Sequence, residues 1–330
     1  MLKWLDDMKY IFFLSGENVE LAKWEVRRLI SSYGEFEEAE FAERILVAEC
    51  GCRNVFYRLA LTHEVSEYIA SCSFKELKSV FSEIEPSHGT CCVRVRGIGC
   101  KVETLKLERE LGAILWRKGA KISVSNPEKV FRVYITPRKC FVGSLVFSQN
   151  KKQFLDRSPV KRPFFMPFVV LPKFARSLVN LTGVKDGEKL LDPMCGTGSF
   201  LIEAGLMKID VVGMDFFSKI VRGCMENLRF YGVSGEIVRG DVRAIPFKDS
   251  SFKAIVTDYP YLRSTKATGS LEEIYERSLE EFRRVIKDDG SLVIVTNLDI
   301  ENYLEEFNIL AKFTQRVHNS LTRRIYLLTL

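Results

Sequence analysis

The chain has 330 residues, 46% hydrophobic and 28% charged, with 21 Gly and 10 Pro, proportions that suit two or three folded globular domains and exclude a disordered or fibrous protein. Its net charge of +6 permits a polyanionic partner without requiring one, and its nine Cys form no C-x-x-C pair, which argues against zinc-ribbon and thioredoxin-type sites. No apolar run approaches the roughly 18 residues of a membrane span, and the opening Met-Leu-Lys-Trp-Leu-Asp-Asp carries acids where a signal peptide is apolar; the expectation is a cytoplasmic protein with no membrane partner and no metal.

Hydrophobic periodicity predicts a strand over Tyr10 to Leu14, a helix over Asn18 to Ile30 and a strand over Ile45 to Glu49. Phe74 to Ile84 reads as a helix that stops before Pro86, and Cys91 to Val95 as a strand beside Arg94 and Arg96. A long amphipathic helix over Val102 to Lys118 ends at Gly119. Strands Val130 to Ile135 and Cys140 to Phe147 follow, joined by Thr136-Pro137-Arg138-Lys139. This pattern implies one or two small α+β modules. Lys151 to Pro163, with five basic residues against Asp156, reads as an extended connector.

From Pro172 the chain alternates. Helix Pro172 to Leu181, strand Lys189 to Leu191, helix Ser199 to Met207 and strand Val211 to Met214 come first. Helix Ser218 to Phe230, strands Glu236 to Arg239 and Ala254 to Thr257, helix Leu271 to Ile286 and strand Ser291 to Thr296 continue the series. A further helix and two long strands, Ala311 to Val317 and Arg323 to Leu330, close it. Alternation predicts a doubly wound parallel sheet. The short link between the last two strands makes them an antiparallel edge hairpin, since a parallel crossover needs a dozen or more residues.

The first strand of this half runs into Asp192-Pro193-Met194-Cys195-Gly196-Thr197-Gly198-Ser199. A strand feeding G-x-G into a helix lets backbone approach a ligand closely. Leu201 stands where the dinucleotide pattern needs a third glycine, so NAD is disfavoured. Asp192, six residues before the second glycine, fits an S-adenosylmethionine loop instead, with Cys195 as a small packing residue of that loop. Asp215 and Asp241 end the next two strands, where they are placed to accept the ribose hydroxyls and the adenine amino group, with the Val242 N–H facing the ring. Asp258-Tyr259-Pro260-Tyr261 ends the fourth strand. It resembles the Asp/Asn-Pro-Pro-Tyr/Phe motif of methyltransferases acting on exocyclic amines, except that Tyr259 replaces the first proline. Such an amine delocalises its lone pair into the ring. Two acceptors, the Asp258 carboxylate and the carbonyl of residue 259, would hold its hydrogens and aim that lone pair at the methyl donor, while Tyr261 stacks on the base. Tyr259 forgoes proline's fixed φ and is expected to add bulk beside the base.

With Lys161-Arg162-Pro163-Phe164-Phe165, Leu171-Pro172-Lys173-Phe174-Ala175-Arg176, the Asp192 to Ala204 block, His318-Asn319-Ser320-Leu321-Thr322-Arg323 and the THUMP-like Ser125-Asn126-Pro127, nearly the whole chain resembles the archaeal THUMP-domain tRNA (guanine-N2)-methyltransferases acting at position ten. The resemblance implies an N-terminal ferredoxin-like module (1–65), a THUMP domain (66–149), a linker (150–171) and a Rossmann-like catalytic domain (172–330) with a seven-stranded, mostly parallel sheet. It implies S-adenosylmethionine as cofactor and tRNA as partner, with Arg94, Arg96, Arg138, Lys139, Lys161 and Arg162 as candidate RNA contacts. The need for a small protein activator stays open. An rRNA guanine, another tRNA position and a non-catalytic RNA-binding homologue remain alternatives. Thiouridine synthesis, the other THUMP chemistry, would need a pyrophosphatase loop that is not seen.

Overall fold

The structure, a computed structural model, describes residues 8–85, 89–167, 169–260, 271–318 and 321–330. In chain order it forms β1 (Met8–Leu14), α1 (Val19–Tyr33), β2 (Phe36–Ala42), β3 (Ile45–Cys50), β4 (Thr62–Cys72), α2 (Leu77–Glu83), β5 (Thr90–Gly97), α3 (Thr104–Arg117), β6 (Lys121–Ile122), β7 (Lys129–Ile135) and β8 (Cys140–Ser148). The second half adds α4 (Lys152–Asp156), α5 (Pro172–Leu181), β9 (Lys189–Asp192), α6 (Ser199–Gly205), β10 (Asp210–Asp215), α7 (Ser218–Phe230), β11 (Gly235–Arg239), β12 (Phe252–Asp258), α8 (Leu271–Val285), β13 (Ile286–Thr296), β14 (Asn308–His318) and β15 (Leu321–Thr329). Two compact units result. One comprises the chain up to Val19, Gly34–Tyr57 and Thr62–Gln149; the other comprises Glu20–Tyr33, Arg58–Leu61 and Asn150–Leu330.

The first unit is built on a single sheet in the order β2-β3-β1-β4-β8-β7-β5-β6. Sequence periodicity does not reveal β2 or β4. β2 is Phe-Glu-Glu-Ala-Glu-Phe-Ala, an edge strand whose glutamates discourage pairing with another chain. β4 pairs antiparallel with both β1 and β8, so one sheet runs through both expected modules, and the seam at 65/66 falls inside this strand. Leu107, Leu111 and Leu115, four residues apart on α3, bury one helix face against Val93, Phe131, Val133 and Val142.

In the second unit the sheet order is β11-β10-β9-β12-β13-β15-β14. Strands β11 to β13 are parallel, and β15 pairs antiparallel with both β13 and β14. The expected seven-stranded sheet with an edge hairpin is therefore present. Strand order reverses between β9 and β12, the switch point where a doubly wound sheet opens a crevice at its carboxyl edge. The expected closing helix is a single 3-10 turn, Glu301–Tyr303. Ile300, Leu304 and Phe307 have helical spacing and are buried, but this short turn and the following loop are enough to seat them in the core under α8.

Residues distant in sequence complete this unit. Glu25 on α1 is fully buried and accepts hydrogen bonds from the Ala60 and Leu61 N–H groups (2.8 and 2.7 Å) and from Asn180 Nδ2 on α5 (2.8 Å). Arg28 donates to the Leu181 and Thr182 carbonyls and to Ser291 Oγ. The connector is not extended as expected, since α4 and a 3-10 turn (Pro159–Lys161) occupy it. Its Arg157 forms a bidentate pair (2.6 and 3.0 Å) with Glu203 of α6, which Arg176 of α5 also contacts at 2.9 Å. A carboxylate with no exposure needs such partners, and satisfying it ties the connector to the helix behind the glycine turn.

Candidate functional site

β9 delivers Asp192, β10 Asp215, and β12 Asp258 to one edge of the second unit's sheet, because parallel strands end at the same side. There they line a cavity of about 410 Å³ together with Cys195, Gly196, Asp241, Val242, Tyr259 and Pro260. The volume lies in the range of roughly 300–1,000 Å³ usual for small-molecule sites.

The two glycines of the turn have different jobs. Gly196 (φ +53°) lines the cavity, and a Cβ built on it meets nothing within 4 Å, so its surface is open to a ligand. Gly198 (φ +85°) does not line the cavity as expected. A Cβ there would sit 2.9 Å from both Cys224 Sγ and Leu228 Cδ1 of α7, so this glycine permits close helix packing.

Asp192 is almost wholly buried and accepts the Met194 N–H at 3.3 Å. Burial pushes its carboxyl well above the ordinary range, and the nearby Asp215 and Asp258 charges push the same way. Asp215 is also raised by burial, against the pull of the Phe217 N–H (3.0 Å) and Gly196 N–H (3.2 Å) that it accepts. Asp241 behaves in the opposite way. Arg243 donates Nε and Nη2 to its carboxylate (3.0 and 2.7 Å), which lowers its pKa, and reaches Glu273 at 3.5 Å. The intended adenine acceptor is therefore held by a neighbour two residues on. The Cys195 thiol is pushed up first by the adjacent Cys224 thiol and then by burial, as suits a packing residue rather than a nucleophile.

At the tip of β12, the Tyr259 ring does not crowd the cavity mouth as expected. It is 1% exposed, stacks on Tyr275 (centroids 4.4 Å apart, 28° between planes), and its hydroxyl meets Ser278 Oγ. Burial raises its pKa. Its N–H donates to the Val295 carbonyl at 2.8 Å. A buried ring thus anchors the loop in place of proline's fixed φ. Tyr261 lies outside the described residues.

Met166, Pro167, Val169 and Val170 of the connector form another wall, which motif reasoning does not reveal. Asn227 of α7 positions it: Oδ1 accepts the Phe164 N–H, and Nδ2 donates to the Phe164 and Thr197 carbonyls. The available signal was Asn227 itself, a polar residue three after Cys224 and beside Leu228 on the apolar stripe of the helix.

The expected RNA contacts divide. Arg162 is 4% exposed and donates Nη1 to Thr197 Oγ1 (3.1 Å) and Ser199 Oγ (2.8 Å), so it braces the glycine turn from inside and is withdrawn as an RNA contact. Lys161 is exposed beside Asp156 at 3.3 Å. In the first unit, Arg138 and Arg96 are exposed, and Arg96 lies over the Phe13 ring. Arg94 is half-buried, with Nη2 on the Val124 carbonyl and Nη1 near Glu108, and Lys139 pairs with Glu40 at 2.6 Å. Among the described residues no helix is long and apolar enough to cross a membrane, and no group of three or more His, Cys, Asp or Glu could hold a metal ion.

An RMKL-like methyltransferase domain matches residues 159–325. The chain is 35% identical to the tRNA (guanine(10)-N2)-dimethyltransferase of Methanothermobacter thermautotrophicus, over 96% of its own length and 98% of that protein. It is 32% identical to the protein of the same name from Pyrococcus abyssi, over 94% and 96%. The crystal structure of TrmN from Thermus thermophilus matches with a TM-score of 0.56 at 18% identity, covering 97% of this chain and 99% of that one, a likeness of fold.

Proposed function

This chain belongs to the tRNA (guanine(10)-N2)-dimethyltransferase family, and on that premise we propose that it methylates the N2 amine of guanosine ten in tRNA, once or twice, using S-adenosylmethionine. The observation that carries the reading is that the Asp258-Tyr259-Pro260 tip and the Gly196 turn with Asp215 line one cavity. The residues present suit the cofactor. A bare glycine surface, a carboxylate for the ribose diol, and the apolar Phe217, Ile220 and Val242 match the polar and apolar parts of a nucleoside. When bound, the cofactor supplies an electrophilic methyl on a sulfonium.

The chain's own residues then position the acceptor. The Asp258 carboxylate and the Tyr259 carbonyl accept the two amine hydrogens, which turns the nitrogen lone pair out of conjugation. As the nitrogen takes the methyl it gives up one of its two protons, by way of the Asp258 carboxylate to solvent, so a single N–H remains and a second methylation uses one acceptor only. Catalysis is mainly orientation. We assign the cofactor to Asp192, Cys195, Gly196, Asp215, Asp241, Val242 and Asp258, and base stacking to Tyr261. The same reading gives a ferredoxin-like module, a THUMP domain and a linked catalytic domain, with the first boundary outside β4 rather than at 65/66. RNA contact is assigned to Arg94, Arg96, Arg138, Lys139 and Lys161, and the compartment to the cytoplasm, where its substrate is found.

The test is to incubate the protein with an unmodified tRNA transcript and methyl-labelled S-adenosylmethionine, then map nucleosides by mass spectrometry. Label as N2-methyl- or N2,N2-dimethylguanosine at position ten supports the reading. Label at another guanosine moves the address, and no label on guanosine overturns the reading.

A further inference from the structure

Arg323 stands on β15 one residue before Arg324, which pairs with Thr296 at the end of β13. Neighbouring residues of a strand point to opposite faces. Arg324 turns out to Asp299 (3.4 Å, 43% exposed side chain), while Arg323 turns inward with its side chain only 5% exposed. Its Nη2 lies 3.6 Å from Oδ2 of Asp258, whose own side chain is 17% exposed. A buried guanidinium has therefore been brought from the antiparallel edge hairpin to the carboxylate at the tip of the central strand. Asp192 on β9 and Tyr275 on α8 also face Asp258, and burial together with the Asp258 charge raises both, Tyr275 to about 12.

We propose that Arg323 is a positioning residue for methyl transfer: its guanidinium keeps Asp258 an anionic hydrogen-bond acceptor, oriented toward the substrate amine. The inference rests on the role given above to Asp258. A carboxylate accepts an amine hydrogen, whereas a protonated carboxyl presents its own hydrogen to that amine and leaves the lone pair conjugated. A guanidinium within about 4–6 Å favours the charged form of a carboxylate. The ion pair also draws the Oδ2 side of the carboxylate toward β15, where Arg323 is held on a hydrogen-bonded strand.

The experiment follows single-turnover methylation of an unmodified tRNA transcript over about pH 3–8, a window that spans the ordinary carboxyl range near 3.9, with S-adenosylmethionine affinity measured separately by equilibrium binding. Arg323→Met is expected to slow transfer by about 10-fold or more and to move the acid limb of the rate profile up by about one pH unit or more. The direction follows because loss of the cation raises the pH at which Asp258 ionises. Cofactor affinity should stay at the wild-type value. Arg323→Lys, which keeps the charge, should leave the limb in place. Asp258→Asn retains an acceptor oxygen but cannot titrate, so its profile should lose the limb. This variant decides the matter if the Met variant fails to bind cofactor at all. An unmoved limb in Arg323→Met, or a wild-type limb persisting in Asp258→Asn, overturns the proposal while wild-type activity leaves the functional reading standing. A wild-type protein that methylates no guanosine overturns the functional reading first.

Discussion

The floor and the rim of the cavity carry the same side chain under opposite conditions. On the floor, Asp192 and Asp215 are raised because burial penalises their charge. At the rim, Asp241 is lowered because Arg243 bonds to it in a partly open setting. A carboxylate at the rim is already compensated and costs the fold little. Those on the floor are kept at a cost in stability, which is the condition expected where ligand groups supply the missing partners.

The largest test of this contrast is Asp258→Ala, which should lower single-turnover transfer by about 10³-fold, as for loss of an active-site hydrogen-bonding group, with a much smaller fall in cofactor affinity. Substantial residual activity would remove Asp258 from the reaction. Asp215→Ala should weaken cofactor binding next, by about 1.5–3 kcal/mol for each charged hydrogen bond lost, read as a rise in Kd. Asp192→Asn bears on stability. Because the folded-state pKa is raised, the stability linked to Asp192 is full below the unfolded carboxyl value near 3.9 and is lost as pH rises toward the folded value. The Asn variant should therefore melt higher than wild type at neutral pH, with the gap in Tm closing toward about pH 4. Equal melting at all pH values would contradict the burial cost. Arg243→Ala should matter least, with at most about 1 kcal/mol in cofactor binding. An effect as large as that of Asp215→Ala would erase the distinction between floor and rim.

Legibility differed between the sheets for a physical reason. In the second unit, buried parallel strands are continuous apolar runs separated by amphipathic helices, so Val211 to Met214 and Ala254 to Thr257 announce themselves. In the first, β4 reads Thr-His-Glu-Val-Ser-Glu-Tyr-Ile-Ala-Ser-Cys. Glu64 in it is buried beside Arg132 and Tyr134, and it is this pairing across strands that makes a polar segment a central strand. The acids at the strand ends were legible because a parallel sheet turns sequence position into spatial position. The roles of Gly198, Arg162 and Tyr259 were not, since each depends on which neighbour it meets: α7, the glycine turn and Tyr275.

By itself the sequence determined the parallel catalytic sheet, its hairpin edge and the strand-end residues gathered there, because alternation and periodicity are local consequences of backbone geometry. Only the tertiary structure decided which charges are compensated. It buried Arg162 inside, paired half-buried Arg157 with Glu203 and Asp241 with Arg243, and brought Arg323 across from the edge hairpin to Asp258. Electrostatic environment depends on distance and burial, and neither is written in the order of residues along a chain.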